Sequence, residues 1–107
     1  MSYDLNLTGD GELDLELARA ILGAGPGCDE LLWVRDALTA TVVLTPEEID
    51  VGIVGDDAPR ADRARDFEEL LGVALDLACR LGADIHDPQL GRELRPEDVP
   101  DAVHRFA

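Results

Sequence analysis

Residues 67–89 read FEELLGVALDLACRLGADIHDPQ, and the reading of this stretch decides the fold. Phe67, Leu70, Leu71, Ala74, Leu77, Ala78 and Leu81 recur at spacings of three and four, which sets them along one side of an α-helix. Glu69, Asp76 and Arg80 fall on the other side, and Asp76 and Arg80 form an oppositely charged pair one turn apart. Gly82 follows the last apolar residue, where a left-handed residue closes a helix with least strain. The spacing predicts a helix from near residues 60–62 to Leu81. Ala83-Asp84-Ile85-His86-Asp87 then reads as a short strand with Ile85 turned inward, ended by Pro88, which has no N–H to give a ladder. An amphipathic helix that runs directly into a strand is expected to lay its stripe on a sheet.

Upstream, Tyr3, Leu5 and Leu7 alternate with Asp4 and Asn6, a first strand. Thr8-Gly9-Asp10-Gly11 is turn chemistry. Residues 12–17, ELDLEL, alternate strictly and could fold back as a hairpin. Leu17, Ala18, Ile21 and Leu22 instead keep helical spacing, and Asp14 can cap a helix that carries Glu16 in its first turn. The helical signal runs further, so a helix is expected over about residues 13–23, ended by the glycine-rich 23–27. Leu31-Leu32-Trp33-Val34 reads as a buried strand, Asp36-Ala37-Leu38 as a turn, and Thr41-Val42-Val43-Leu44 as a β-branched strand. Thr45-Pro46-Glu47-Glu48 has the form of a capping box and predicts one helical turn. Ile49, Val51 and Ile53 alternate in a further strand, and residues 55–59 form a loop into the long helix. Residues 89–94 read as a turn or irregular segment. Pro96 and Pro100 flank the start of a short terminal helix over 99–106.

This order, β-α-β-β-α-β with two or three strands between the helices, predicts an α+β chain of one domain, residues 1–107. The expected arrangement is a ferredoxin-like split β-α-β antiparallel sheet. Right-handed crossovers would place both helices on one face, with the short C-terminal helix added. The other face is then open to water or to a second copy of the chain. First and last strands become neighbours, so Asp4, Asn6, Asp84 and His86 gather on the open face. Trp33 or Val34 joins them, according to register.

Composition narrows the partners. The chain has 107 residues, 24 acids against 9 bases and a formal charge of −15; all the bases are arginine. Such a surface repels nucleic acid and anionic lipid, so neither is an expected partner. It suits a basic protein, though a salt-adapted source would give the same composition. Self-repulsion predicts stability that rises with salt. No apolar run reaches the roughly 18–20 residues that span a bilayer. The opening MSYDLNL has no basic n-region, so no signal peptide and a cytoplasmic location are expected. Cys28 and Cys79 read as reduced thiols used as small apolar groups, without a zinc signature.

Asp4, Asn6, Asp84 and His86 are the candidate ligand-binding set: two carboxylates and an imidazole could hold a divalent metal, through Asp84 and His86 if at all, or raise a carboxyl pKa. The plain alternative is a solvated sheet face. Trp33 and Val34 are the interface candidates, with core packing the alternative for Trp33. Asp87, before Pro88, can cap the turn that follows. Asp56 and Asp57 read as a solvated turn or a cap for the long helix. Nucleophilic chemistry has little to work with: Ser2 is the sole serine, neither cysteine has a demonstrable basic neighbour to activate it, and His104 sits near the chain end. The glycines at 23–27 follow a helix instead of opening one, the wrong side for a phosphate cradle. No cofactor is expected.

The segment FEELLGVALDLACRLGADIHDPQLG resembles a recurrent ending of small bacterial proteins of uncharacterised function, in which a helix of the form LLxLAxxLA runs into LGA, an apolar residue and DPQ; the opening MSYDLNL is similar too. Some such proteins look like immunity or accessory proteins found beside secreted toxins. The resemblance implies a non-catalytic, acidic protein-binding module, and the open sheet adds the expectation of a homodimer. The alternative is a small metal- or ligand-binding enzyme or sensor that uses Asp4, Asp84 and His86.

Overall fold

The computed structural model describes residues 2–107. Alternation builds the strands β1 (Ser2–Thr8), β2 (Glu30–Val34), β3 (Leu38–Leu44), β4 (Ile49–Gly55), β5 (Asp84–Asp87) and β6 (Arg92–Glu93), joined by the helices α1 (Leu15–Leu22), α2 (Arg60–Leu81) and α3 (Val99–Phe106). They form one antiparallel sheet in the order β2-β3-β4-β1-β5-β6.

Register puts every inward residue on one face. Tyr3 lies opposite Ile53, Ile53 opposite Ala40, and Ala40 opposite Trp33. In the next rows Leu5, Val51, Val42 and Leu31 align, then Leu7 with Ile49 and Ile85. The helices cover this face alone. The stripe of α2, Phe67 to Ala78, is buried as its spacing predicts, and Gly82 closes the helix at φ 66°. α3 brings Phe106 back over the same core. Its ring stacks on Phe67 at 4.2 Å, with the Tyr3 ring edge-on to Phe67 at 5.0 Å. The 3-10 turn Pro96–Asp98 leads into α3, and Asp98 holds it in place by a bidentate pair with Arg92 at 2.7 and 2.8 Å.

α1 starts two residues later than its pattern suggests. Asp14 caps it, accepting from Leu17 N at 3.1 Å, and Gly23 ends it at φ 71°. α1 carries the chain from β1 to β2 at the far edge, an antiparallel strand separated from β1 by β3 and β4. Only α2 makes a parallel crossover, from β4 to β5 across β1.

Three local expectations give way. Residues 45–48 form no helical turn. Leu44 pairs with Ile49, so the four intervening residues must close a hairpin; Thr45 N donates to Glu48 O at 3.0 Å, and Thr45 Oγ1 accepts from Glu48 N at 3.1 Å. Thr45 makes its capping-type bond to Glu48 N, but Thr45 N goes to the Glu48 carbonyl instead of the Glu48 side chain, and the turn closes a hairpin. Residues 31–34 are not a buried strand: β2 is an edge strand with Leu32 and Val34 more than half exposed. Residues 92–93, read as irregular, pair with β5. Among the described residues, no helix is long and apolar enough to cross a membrane.

Candidate binding surface

The face opposite the helices is bare, and period-two alternation decides what stands on it. One row runs Glu30, Val43, Asp50, Asn6, His86 and Glu93 across all six strands. A second holds Leu32, Thr41, Gly52 and Asp4; a third holds Val34, Thr39, Val54 and Ser2. Asp84, opposite Thr8, completes the face.

All four candidate ligand residues therefore lie on this surface, in three different rows. Asn6 and His86 are directly opposed, but the Asn6 amide donates to Asp50 Oδ1. Asp84 faces Thr8. Asp4 stands two residues from Asn6, about 7 Å along the strand. Among the described residues, no group of three or more His, Cys, Asp or Glu stands close enough to hold a metal ion. Asp50, which the sequence reading passed over, is the carboxylate that engages the set. Its alternation with Ile49 and Val51 put it on this face, but only the β1–β4 register shows that Asn6 is its partner.

The backbone of Asp4 is engaged as well. Beyond Pro88 the chain no longer runs as a strand, and the Gln89 side chain takes its place. Asp4 N donates to Gln89 Oε1 and Gln89 Nε2 donates to Asp4 O, both at 2.8 Å. A trough of about 480 Å³ lies between this closure and the meander, lined by Asp4, Asn6, Asp50, Thr41 and Val43 around Gly52. Its floor is low because Gly52 has no side chain; a methyl there would meet only Asp4 Oδ1, at 3.8 Å.

Beside the trough lies an apolar corner. Leu32, Val34 and Val54 are 63, 58 and 53% exposed. Val34 is thus on the open face, as an interface candidate should be. Trp33 is not: one residue along an extended chain reverses the side, and Trp33 packs half-buried towards the helices with the Arg35 guanidinium 3.8 Å above its ring. Arg35 in turn holds Glu69 of α2 at 3.0 and 3.1 Å.

The charges divide by face. Asp4, Glu30, Asp50, Asp84 and Glu93 stand on the open side, where no strand position carries arginine. Most arginines of the helices and loops are paired near the covered side, as in Arg19–Asp29, Arg65–Asp66 and Arg80–Asp76, while Arg95 reaches Glu93 of the open side at 4.0 Å. The bare surface is therefore more acidic than the composition alone requires.

Three buried carboxylates belong to the scaffold. Asp66 accepts from Ala37 N at 2.9 Å and so ties α2 to the β2–β3 turn. Burial pushes its carboxyl up, but the bonds from Arg65 and Ala37 outweigh it and the pKa is lowered. The Asp98 carboxyl is lowered by its bond to Arg92, then by that from the Arg95 amide. Asp87 is fully buried: Oδ2 accepts from the Tyr3 hydroxyl at 2.5 Å, and Oδ1 accepts from Gln89 N and Leu90 N at 2.9 and 3.1 Å. The second pair is the expected cap after Asp87. Burial, then the Asp87 bond, raises the Tyr3 pKa. Asp56 and Asp57 do not cap α2, which begins at Arg60 with Pro59 as its N-cap and no side-chain cap. Cys28 and Cys79 are free thiols; Cys79 is exposed, not packed as an apolar group.

Compared with protein families, with curated proteins and with solved structures, the chain shows no match.

Proposed function

We propose that this protein is a non-catalytic binding module whose open sheet face receives a basic protein partner. One observation carries the reading: a bare face with three apolar side chains more than half exposed lies beside five acids, four of which have no ion-pair partner among the described residues. Apolar area supplies the contact, and the acids select the partner and steer its approach. The trough above Gly52 suits a partner's Arg or Lys, with its aliphatic stem along Thr41 and Val43 and its charge between Asp4 and Asp50.

The scaffold in this reading is a ferredoxin-like core of β1, α1, β3, β4, α2 and β5, with β2 added at one edge and β6 at the other. The resemblance of residues 67–91 to small bacterial proteins fits an immunity- or accessory-type role, in which such a face would cover a basic surface of a toxin. The same reading places the chain in the cytoplasm. Two copies meeting face to face would oppose like charges, so the face suits a different protein better than a second copy.

The trough also favours a second reading, a small cationic ligand bound among Asp4, Asn6 and Asp50. Calorimetric titration tests both. The probes are short peptides that alternate Arg with Leu, their Glu-for-Arg counterparts, and the free amine spermidine. The expected result is binding of the Arg peptides alone, lost in Asp4→Lys/Asp84→Lys and in Val34→Asp/Val54→Asp. Spermidine binding that Gly52→Leu abolishes, with no peptide heat, would favour the small ligand. Equal binding of acidic and basic peptides would sink both.

A further inference from the structure

The outer edge of β2 carries a contact of a different kind. Arg35 N donates to Leu38 O, and Asp29 O accepts from Leu44 N, at 2.9 and 2.7 Å. Backbone groups alternate sides along a strand, so residues 29, 31, 33 and 35 face β3, while Glu30, Leu32 and Val34 turn theirs to the free edge. Two of those carbonyls have local donors: Cys28 Sγ reaches Glu30 O at 3.1 Å, and Arg35 Nη1 reaches Val34 O at 3.0 Å. The N–H and C=O of Leu32 lie between them, on a residue 63% exposed. The edge has no proline, lysine or bulge to blunt it. At the other end of the sheet the two-residue β6 does that work.

We infer that β2 pairs with β2 of a second copy, antiparallel, about a two-fold axis at Leu32. The sequence is self-complementary in this register. Leu32 opposes the other Leu32 as a hydrogen-bonded pair, and Glu30 opposes Val34. Leu31 meets Trp33, and Asp29 meets Arg35, in the closer non-hydrogen-bonded pairs. Asp29 is free to take part, since its side chain is 77% exposed beyond Arg19. Charges then alternate across the junction: Glu69 and Arg35 of one copy, Asp29 and Arg19 of the other. Shifting the register by two, to centre on Trp33, would instead bring Glu30 against Asp36. The paired sheets keep their helices on one side and their acidic faces on the other. The dimer therefore leaves the proposed partner surface free, and neither reading requires the other.

A five-residue edge buries less than a standard interface of about 1,600 Å², so the association is weak and dependent on concentration. Sedimentation of the chain alone, from micromolar to roughly 1 mM, should show a dimer forming while the emission of Trp33 shifts to the blue. Leu32→Pro should abolish it, because the lost N–H points away from β3 and the β2–β3 ladder stays intact. Should that variant fail to fold, crosslinking decides. In a Cys28→Ser/Cys79→Ser background, Leu32→Cys should oxidise to a disulfide dimer, since directly opposed residues stand about 5.5 Å apart between Cα atoms. Val54→Cys on the open face should not. A monomer throughout the range, or faster crosslinking at position 54 than at 32, overturns the edge pairing.

Discussion

Tyr3 and Asp87 lie 84 residues apart in sequence and share one buried hydrogen bond. Tyr3→Phe keeps the ring against Phe67 but leaves Asp87 Oδ2 without its donor. The cost should be about 1–3 kcal/mol, read as a lower denaturation midpoint with an unchanged slope. The pair also has a pH signature. Because the folded pKa of Tyr3 is raised, its contribution is complete below the usual tyrosine value near 10 and fades as pH rises above it. Tyr3→Phe should therefore flatten the alkaline limb of the stability profile. Asp66 and Asp98 have the opposite sign. Their folded pKa values are lowered, so their contribution is complete above roughly pH 4 and is lost as pH falls through the lower folded values. Sequence exposed half of the Asp87 environment: Asp before Pro signals a capped turn. The Tyr3 partner was hidden, because nothing local says which side chain a distant strand will bring to a buried carboxylate.

At the scale of elements, strong periodicity was legible and competition was not. Residues 60–81 state their helix through spacing and Gly82, and the structure has that helix. Gly82→Ala would force an L residue to φ 66° and should cost about 1 kcal/mol. For a domain of this size that is a melting shift of roughly 4–8 °C, measured by calorimetry. Thr45 to Glu48 show the limit. Their residues fit a helix start and also fit a tight hairpin, and the choice belongs to the pairing of Leu44 with Ile49. In β2 the apolar run LLWV hid the alternation. All four letters look buried, yet an edge strand with one bare face buries only every second residue in part. That parity separated Val34 from Trp33, and only the register with Thr39 and Ala40 shows which is which.

At the scale of the molecule, a charge of −15 is spread unevenly. Arginines neutralise acids near the helices, while on the sheet face Glu93 has Arg95 at 4.0 Å and Asp4, Glu30, Asp50 and Asp84 have no ion-pair partner among the described residues. Salt should raise the melting temperature as it screens within about 10 Å at 0.1 M; a midpoint that does not move between low and high salt would contradict this. The placement of Asp4, Asn6, Asp84 and His86 on one surface was legible from alternation and strand order. Their separation into three rows, the bond from Asn6 to Asp50 and the trough over Gly52 were not, since each depends on register and on a side chain that is missing. Amide-resolved NMR titration of the chain with the Arg–Leu peptides tests the central claim most directly. Shifts confined to Asp4, Asn6, Leu32, Val34, Asp50, Gly52 and Val54, and weakened by added salt, are the predicted result. Shifts clustered on α1, α2 or α3, with the sheet face silent, would contradict it.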